Sequence, residues 1–181
     1  VTGLDTAGLS DAPFELRKAD LSEPPSAAAL VAEIASEPGG FDIWVNAAYP
    51  RTPDWGVGPP DETPQLWQRN VDMQLTSTCV VADAACAVMG RRADGGALVN
   101  VGSIYGLVAP DFSAYEGTSH MTPGAYAAIK GGVSNHTRYL AGFYGRQGVR
   151  VNAVAPGGIA AGQAASFVRA YEARTALGRM A

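Results

Sequence analysis

Tyr126 and Lys130 stand four residues apart in the segment Gly124-Ala125-Tyr126-Ala127-Ala128-Ile129-Lys130. On a helix, that spacing puts both side chains on one face, where an ammonium can stabilise the ionised form of a phenol. A phenol so placed exchanges protons near neutral pH. Ser103 closes the strand-like run Ala97-Leu98-Val99-Asn100-Val101-Gly102-Ser103, at what would be the carboxyl edge of a parallel α/β sheet, where such sheets bind ligands. A serine, a tyrosine and a lysine can thus converge on one carbonyl or alcohol, which suggests a redox site. Taken alone, Tyr-x-x-x-Lys is equally the mark of an amphipathic helix with a surface lysine.

The elements that must position these residues alternate short β-rich runs with longer helical ones, the signature of βαβ units and a parallel sheet covered on both faces. Strands are predicted at residues 1–4, 14–18, 42–46, 97–102 and 150–155, and helices at 26–36, 63–89 and 123–144, the last starting with proline in its first turn. Residues 50–64 read as a Pro/Gly-rich loop. With 181 residues and 47% hydrophobic content, residues 1–181 suit one substantial core and a single domain.

In this order and spacing the chain resembles the short-chain dehydrogenase/reductase family, whose site pairs a strand-end serine with Tyr-x-x-x-Lys. Phe41-Asp42-Ile43-Trp44-Val45-Asn46-Ala47-Ala48 resembles the strand ending in that family's Asn-Asn-Ala-Gly turn, and Asp20-Leu21 its adenine-contacting pair. The run from Gly148 to Gly158 is similar to its sixth strand and the Pro-Gly turn beside the nicotinamide. The resemblance implies a Rossmann-like doubly wound sheet and a bound NAD or NADP. Tyr126 would be the general acid/base, with Lys130 lowering its pKa, Ser103 holding the substrate oxygen and Gln74 in the place of a proton-relay amide. Cofactor contacts would come from Asp5, Asp20, Leu21, Asn46, Ala47, Ala48, Pro156, Gly157 and Ile159 as well as Tyr126 and Lys130. Asp5, placed to accept hydrogen bonds from the adenosine ribose, favours NAD. A homodimer or homotetramer is implied through the helices at 63–89 and 123–144, with Ala84, Val88, Val133 and Tyr139 as contributors. The segments at 46–52, 103–106, 115–118 and 179–181 further resemble a subgroup tied to flagellin modification and nonulosonic-acid sugars. That resemblance implies a polar, sugar-derived substrate met by Tyr105, Tyr115, Glu116 and His120.

Several features depart from the family pattern. The first strand and its glycine-rich phosphate loop do not appear in the sequence, nor does the last strand. In a sheet ordered 3-2-1-4-5-6, the missing strand would leave a gap at the centre, so the chain reads as an incomplete domain or part of a larger polypeptide. Gln74 stands where the family has Asn, and Ile159-Ala160-Ala161 lacks the hydroxyl residue that commonly follows the Pro-Gly turn. Ser103 and Tyr126 are further apart than the usual dozen residues. Tyr115 has the commoner spacing, but position 119 is serine rather than lysine, which keeps Tyr126 as the catalytic phenol. The rival readings are a non-catalytic subunit of the same fold and a nucleotide-binding regulator.

A net charge of −4 argues against a nucleic-acid partner. Apolar stretches are broken by Gly, Asn, Asp or Pro before the length of a membrane span, so a cytoplasmic protein acting on small molecules is expected. No metal site is expected. Cys79 and Cys86 lie seven apart on one predicted helix, too far along its axis to bridge, and read as buried small side chains.

Overall fold

The computed structural model describes residues 2–6, 13–118 and 121–181. Among the described residues, five parallel strands form, close to where the sequence pattern places them: β1 (Thr2–Asp5), β2 (Glu15–Lys18), β3 (Ile43–Asn46), β4 (Gly96–Val101) and β5 (Val149–Val154). They make two sheets, β1-β2 and β3-β4-β5, with no ladder joining β1 to β3. The break falls between β1 and β3, where the resemblance led to the expectation of a further strand. A cavity of about 920 Å³ lies there, bordered by β1, β3 and the loops that follow them.

Helix α1 (Pro24–Ser36) begins with Pro at its first positions, where the missing N–H would be unpaired in any case. The single helix expected over 63–89 is interrupted. α2 (Pro64–Asn70) is capped by the Thr63 side chain, which accepts from the Leu66 N–H at 3.1 Å, and it runs into a π-helical segment, Val71–Thr76, before α3 (Ser77–Met89). Such π segments insert one residue's worth of extra turn and concentrate at functional sites. α4 (Gly124–Tyr144) carries Tyr126 and Lys130, with Pro123 just outside its first turn. The sequence reading missed α5 (Ala165–Glu172), too short for its pattern to stand out.

α1, α3 and α4 pack side by side, and their apolar stripes meet Trp44, Leu98, Val149 and Val151 from β3, β4 and β5. Strand alternation does the rest: Trp44 points into this core, while Ile43 and Val45 are 65% and 57% exposed on the other face. The expectation of cover on both faces is therefore not met for β3 among the described residues. A second cluster gathers Ala114, Tyr115, Phe167 and Met180, with α5 pinned by Arg174 to Asp111 and Ser113.

Cys79 and Cys86 are free, and burial pushes their thiols up to about 11 and about 12. Taken together, α2, the π-helical segment and α3 make Pro64–Met89 long and apolar enough to cross a membrane by length and composition, although the sequence expectation was of no stretch of that length. It also supplies Val81, Ala82, Ala85, Cys86 and Met89 to the core.

Candidate active site

Ser103, Tyr105, Tyr115, Tyr126 and Gly157 line one cavity of about 330 Å³. Its location follows from backbone pairing at the ends of β4 and β5. The Gly102 N–H donates to Val154 O, and the Ile104 N–H donates to Pro156 O, which draws the Ser103 loop against the Pro156-Gly157 turn. Ser103 is buried, and its Oγ accepts from the Tyr105 N–H at 3.2 Å, starting the short helical turn Ile104–Gly106. That turn presses on α4 at Lys130. A Cβ on Gly106 would come within 2.5 Å of the Lys130 carbonyl carbon, so only glycine fits the approach.

Lys130 lies beneath the aromatic wall. Its Nζ donates to Val101 O at 2.9 Å and sits 5.5 Å from the Tyr49 ring and 5.9 Å from the Tyr126 ring. No carboxylate partner compensates the buried ammonium, and desolvation pushes its pKa down from 10.5. The Tyr126 ring is packed edge-on between Tyr49 and Trp55, at centroid distances of 5.7 and 6.3 Å. Burial pushes the Tyr49 phenol up to about 12, although Trp55 Nε1 donates to its oxygen at 2.8 Å. Tyr115 is buried and engaged differently. Its hydroxyl bridges Tyr105 Oη at 3.1 Å and Thr122 Oγ1 at 2.7 Å, a chain in which the Tyr126 hydroxyl takes no part.

Two supporting residues were missed in the sequence. Glu62 ends the Pro/Gly-rich loop with its carboxylate on the N-terminus of α4, accepting from Gly124 N–H at 2.5 Å and Ala125 N–H at 3.2 Å. The carboxylate satisfies two unpaired donors and meets the positive end of the helix dipole, directly beneath Tyr126. Asn100 is fully buried in β4, where it accepts from Asn46 Nδ2 at 2.8 Å and donates to Thr137 Oγ1 at 2.9 Å. An asparagine inside an apolar strand run was the available signal, since a buried amide must be paired. Asn46 also accepts from Trp44 Nε1 at 2.6 Å. The side chain expected to anchor the turn after β3 therefore ties β3 to β4 and α4.

Asp5, Asp20, Leu21, Asn46, Ala47 and Ala48 line the larger cavity, with Tyr49 on the boundary between the two. The Asp20 carboxyl is held below its usual range by hydrogen bonds from Ser22. Gln74 is buried in the π-helical segment, its Nε2 donating to Asn70 Oδ1 at 3.2 Å while its Oε1 has no partner. Neither cavity has Gln74, Pro156, Ile159 or Glu116 on its wall. Ile159 is 59% exposed, because the backbone at Gly158 and Ala160 pairs with Ala181 and turns the intervening side chain outward. His120 lies outside the described residues. α5 contributes Phe167 and Tyr171 to the smaller cavity, and the Tyr171 hydroxyl accepts from the Gly158 N–H at 2.5 Å. Among the described residues, no group of three or more His, Cys, Asp or Glu side chains could hold a metal ion.

Comparison with known proteins places this geometry. A family profile described as Enoyl-(Acyl carrier protein) reductase matches residues 5–181. A cis-4-hydroxycyclohexanecarboxylate dehydrogenase of Sinomonas cyclohexanicum is 34% identical over 168 residues, which cover 91% of this chain and 62% of that protein. The Post-translational flagellin modification protein A of Campylobacter coli is 29% identical over 132 residues, 72% of this chain and 51% of that protein. A short-chain dehydrogenase from Leptospira borgpetersenii, solved with bound NAD+, superposes with a TM-score of 0.87 at 28% identity, covering 99% of this chain and 69% of that one. The chain thus spans about half to two thirds of the length of these proteins.

Proposed function

The chain belongs to the short-chain dehydrogenase/reductase family, and from that premise we propose that the full-length protein is an NAD(P)(H)-dependent oxidoreductase interconverting a secondary alcohol and a ketone. The observation that carries this reading is the buried Lys130 ammonium 5.9 Å from the ring of Tyr126, a residue that lines one cavity together with Ser103.

The residues present fit a dinucleotide. The larger cavity has carboxylates from Asp5 and Asp20 at the strand ends, suited to accept from adenosine hydroxyls, and it meets the smaller cavity at Tyr49. Lys130 would hold the nicotinamide ribose, and the Pro156-Gly157 turn would flank the ring. Asp5 favours NAD. When bound, the nicotinamide takes up or supplies the hydride. The remaining work belongs to the protein. Ser103 Oγ donates to the substrate oxygen and fixes its direction, while Tyr126 takes the hydroxyl proton in oxidation and returns it in reduction. The aromatic wall of Tyr49, Trp55 and Tyr115 keeps water off the reacting carbon.

The substrate is a small polar metabolite carrying the alcohol, a class that includes sugar-derived alcohols. By its name, the Sinomonas relative acts on a ring alcohol, in line with a carbinol carbon held within a ring. A cytoplasmic location goes with this reading. So does self-association through α4, where His136, Tyr139 and Phe143 stack in a row with Tyr139 62% and Phe143 58% exposed. Val133 has no share in that surface, since it is buried within the chain. Light scattering should give the mass of a dimer or tetramer.

Calorimetric titration of the full-length protein tests the cofactor directly. Binding of NADH or NADPH is expected, and failure of both at millimolar concentration would remove the oxidoreductase reading. Binding without turnover of any alcohol would favour the non-catalytic subunit.

A further inference from the structure

Arg51 is the single charged side chain among the described residues lining the smaller cavity. It is exposed and extends from the loop after β3, with its Cζ 5.3 Å from the centroid of the Tyr49 ring. Among the described residues it forms no ion pair, unlike Arg17, Arg92 and Arg174, each of which meets a carboxylate. The guanidinium is therefore stacked and oriented, yet its donors are left for an incoming group.

The rest of the cavity wall offers little to a polyol. The Tyr105, Tyr115 and Thr122 hydroxyls bond one another, Tyr49 accepts from Trp55, and Tyr171 accepts from the Gly158 backbone. With those groups paired internally, the cavity presents mainly aromatic faces and edges, a surface that binds an apolar ring through contact and exclusion of water. Among the described residues, no carboxylate lines it to receive a row of sugar hydroxyls or a cationic substrate. The position of Arg51 also matters. The guanidinium and the Tyr126 ring both lie against the Tyr49 ring, at 5.3 and 5.7 Å from its centroid, and all three line the same cavity, so one ligand in that cavity can meet both ends. Arg51 is not on the wall of the larger cavity that holds Asp5 and Asp20, which separates it from the adenosine end.

We propose that Arg51 selects the substrate by pairing with a carboxylate carried on an apolar ring, at the end of that ring away from the reacting alcohol. The substrate class is then an alicyclic or aromatic-sized hydroxy acid anion rather than a neutral sugar. This assignment rests on the oxidoreductase reading for its reacting end, and on the cavity alone for its anionic end. Planar, two-point pairing of guanidinium with carboxylate supplies orientation as well as affinity, which an ammonium would not.

The test uses the full-length protein with the 4-hydroxycyclohexanecarboxylate anion, its methyl ester and neutral cyclohexanol, with NAD+ and NADP+ each supplied. The wild type should favour the anion over the ester by at least about tenfold in kcat/KM, through KM, the scale of one lost charged contact. Arg51→Gln should abolish that preference while changing kcat/KM for the ester by less than about threefold, and Arg51→Lys should recover only part of it. Equal use of acid and ester by the wild type, or a preference that survives in Arg51→Gln, overturns the assignment. If none of the three alcohols is oxidised, the oxidoreductase reading fails on its own. Calorimetry of the same anion and ester against wild type and Arg51→Gln then decides the role of Arg51: selective binding of the anion by wild type supports it, and equal or absent binding overturns it.

Discussion

Tyr49 stands between two cavities that are built in opposite ways. On the Tyr126 side, the walls are fixed by side-chain hydrogen bonds and ring contacts that cross four chain segments, from the Tyr49-Trp55 pair through Tyr105, Tyr115 and Thr122 to Tyr171. On the Asp5 side, the borders are the edges of β1 and β3, which share no ladder, and the loops that leave them. Packing thus defines the half of the site that holds Tyr126, whereas strand placement defines the other half. Damage to the first should show in turnover, and damage to the second in cofactor affinity.

The largest effect expected on the packed side is that of Tyr126→Phe. Loss of the phenolic proton should lower turnover by at least about a hundredfold, the scale of general acid–base catalysis, with cofactor affinity largely kept. Tyr115→Phe should do much less, because its hydroxyl is occupied between Tyr105 and Thr122. Steady-state kinetics of the two variants decides between them. Equal loss would show that proton transfer does not belong to Tyr126.

Lys130→Met sharpens the comparison by separating activity from stability. Turnover should fall by about tenfold or more, yet resistance to urea at neutral pH should be kept or raised. The sign follows from burial, which places the folded-state pKa of Lys130 below the unfolded 10.5. Below the folded value, the lysine is charged in both states and the folded state bears the full desolvation penalty. As pH rises from the folded value toward 10.5, the folded state releases its proton first and the penalty fades. The advantage of Lys130→Met over wild type should therefore shrink on going from neutral to alkaline pH. A variant markedly less stable than wild type at pH 7 would mean that the bond to Val101 O outweighs desolvation.

The same contrast explains what the sequence could show. Strands with a simple β-branched run, such as Ile43–Asn46 and Gly96–Val101, were legible within a residue or two, as was the helix bearing Tyr126 and Lys130. The π-helical segment was not, because Val71–Thr76 keeps the apolar spacing of an ordinary helix and the change lies only in backbone hydrogen bonding. The Tyr171 contact to Gly158 was also hidden, since it joins α5 to a turn that pairs with Ala181, which no local pattern encodes. Glu62 and Arg51 were present in a loop whose composition announced only that it was a loop. Their partners lie far along the chain or across a cavity.

On the strand-edge side, Asp5→Ser should change cofactor choice rather than the chemical step. A carboxylate at the end of β1 accepts from ribose hydroxyls and repels a ribose phosphate, so its loss should move the ratio of NAD to NADP use by about tenfold toward NADP, a shift typical of one charged contact. Turnover at saturating cofactor should stay within about threefold of wild type. An unchanged ratio would detach Asp5 from the nucleotide, and a collapse of turnover at saturation would contradict the division of labour between the cavities.

The smallest expected effect tests how far the packed side depends on its anchor. Glu62 holds two N–H groups at the start of α4 from a loop that also carries Arg51 and Trp55, so it links the helix of Tyr126 to the opposite wall. Glu62→Gln keeps one acceptor and loses the charge that meets the helix dipole, which is worth about 0.3–1 kcal/mol at a helix end. Glu62→Ala also loses the cap, at about 1 kcal/mol. Urea denaturation should therefore rank wild type above Glu62→Gln and that above Glu62→Ala. Kinetics should show a rise in KM before any fall in kcat, because the loop that lines the cavity loosens while Tyr126 and Lys130 remain on an intact helix. If kcat falls first at unchanged KM, Glu62 acts on the position of Tyr126 itself, and the packed side is a single unit from loop to phenol.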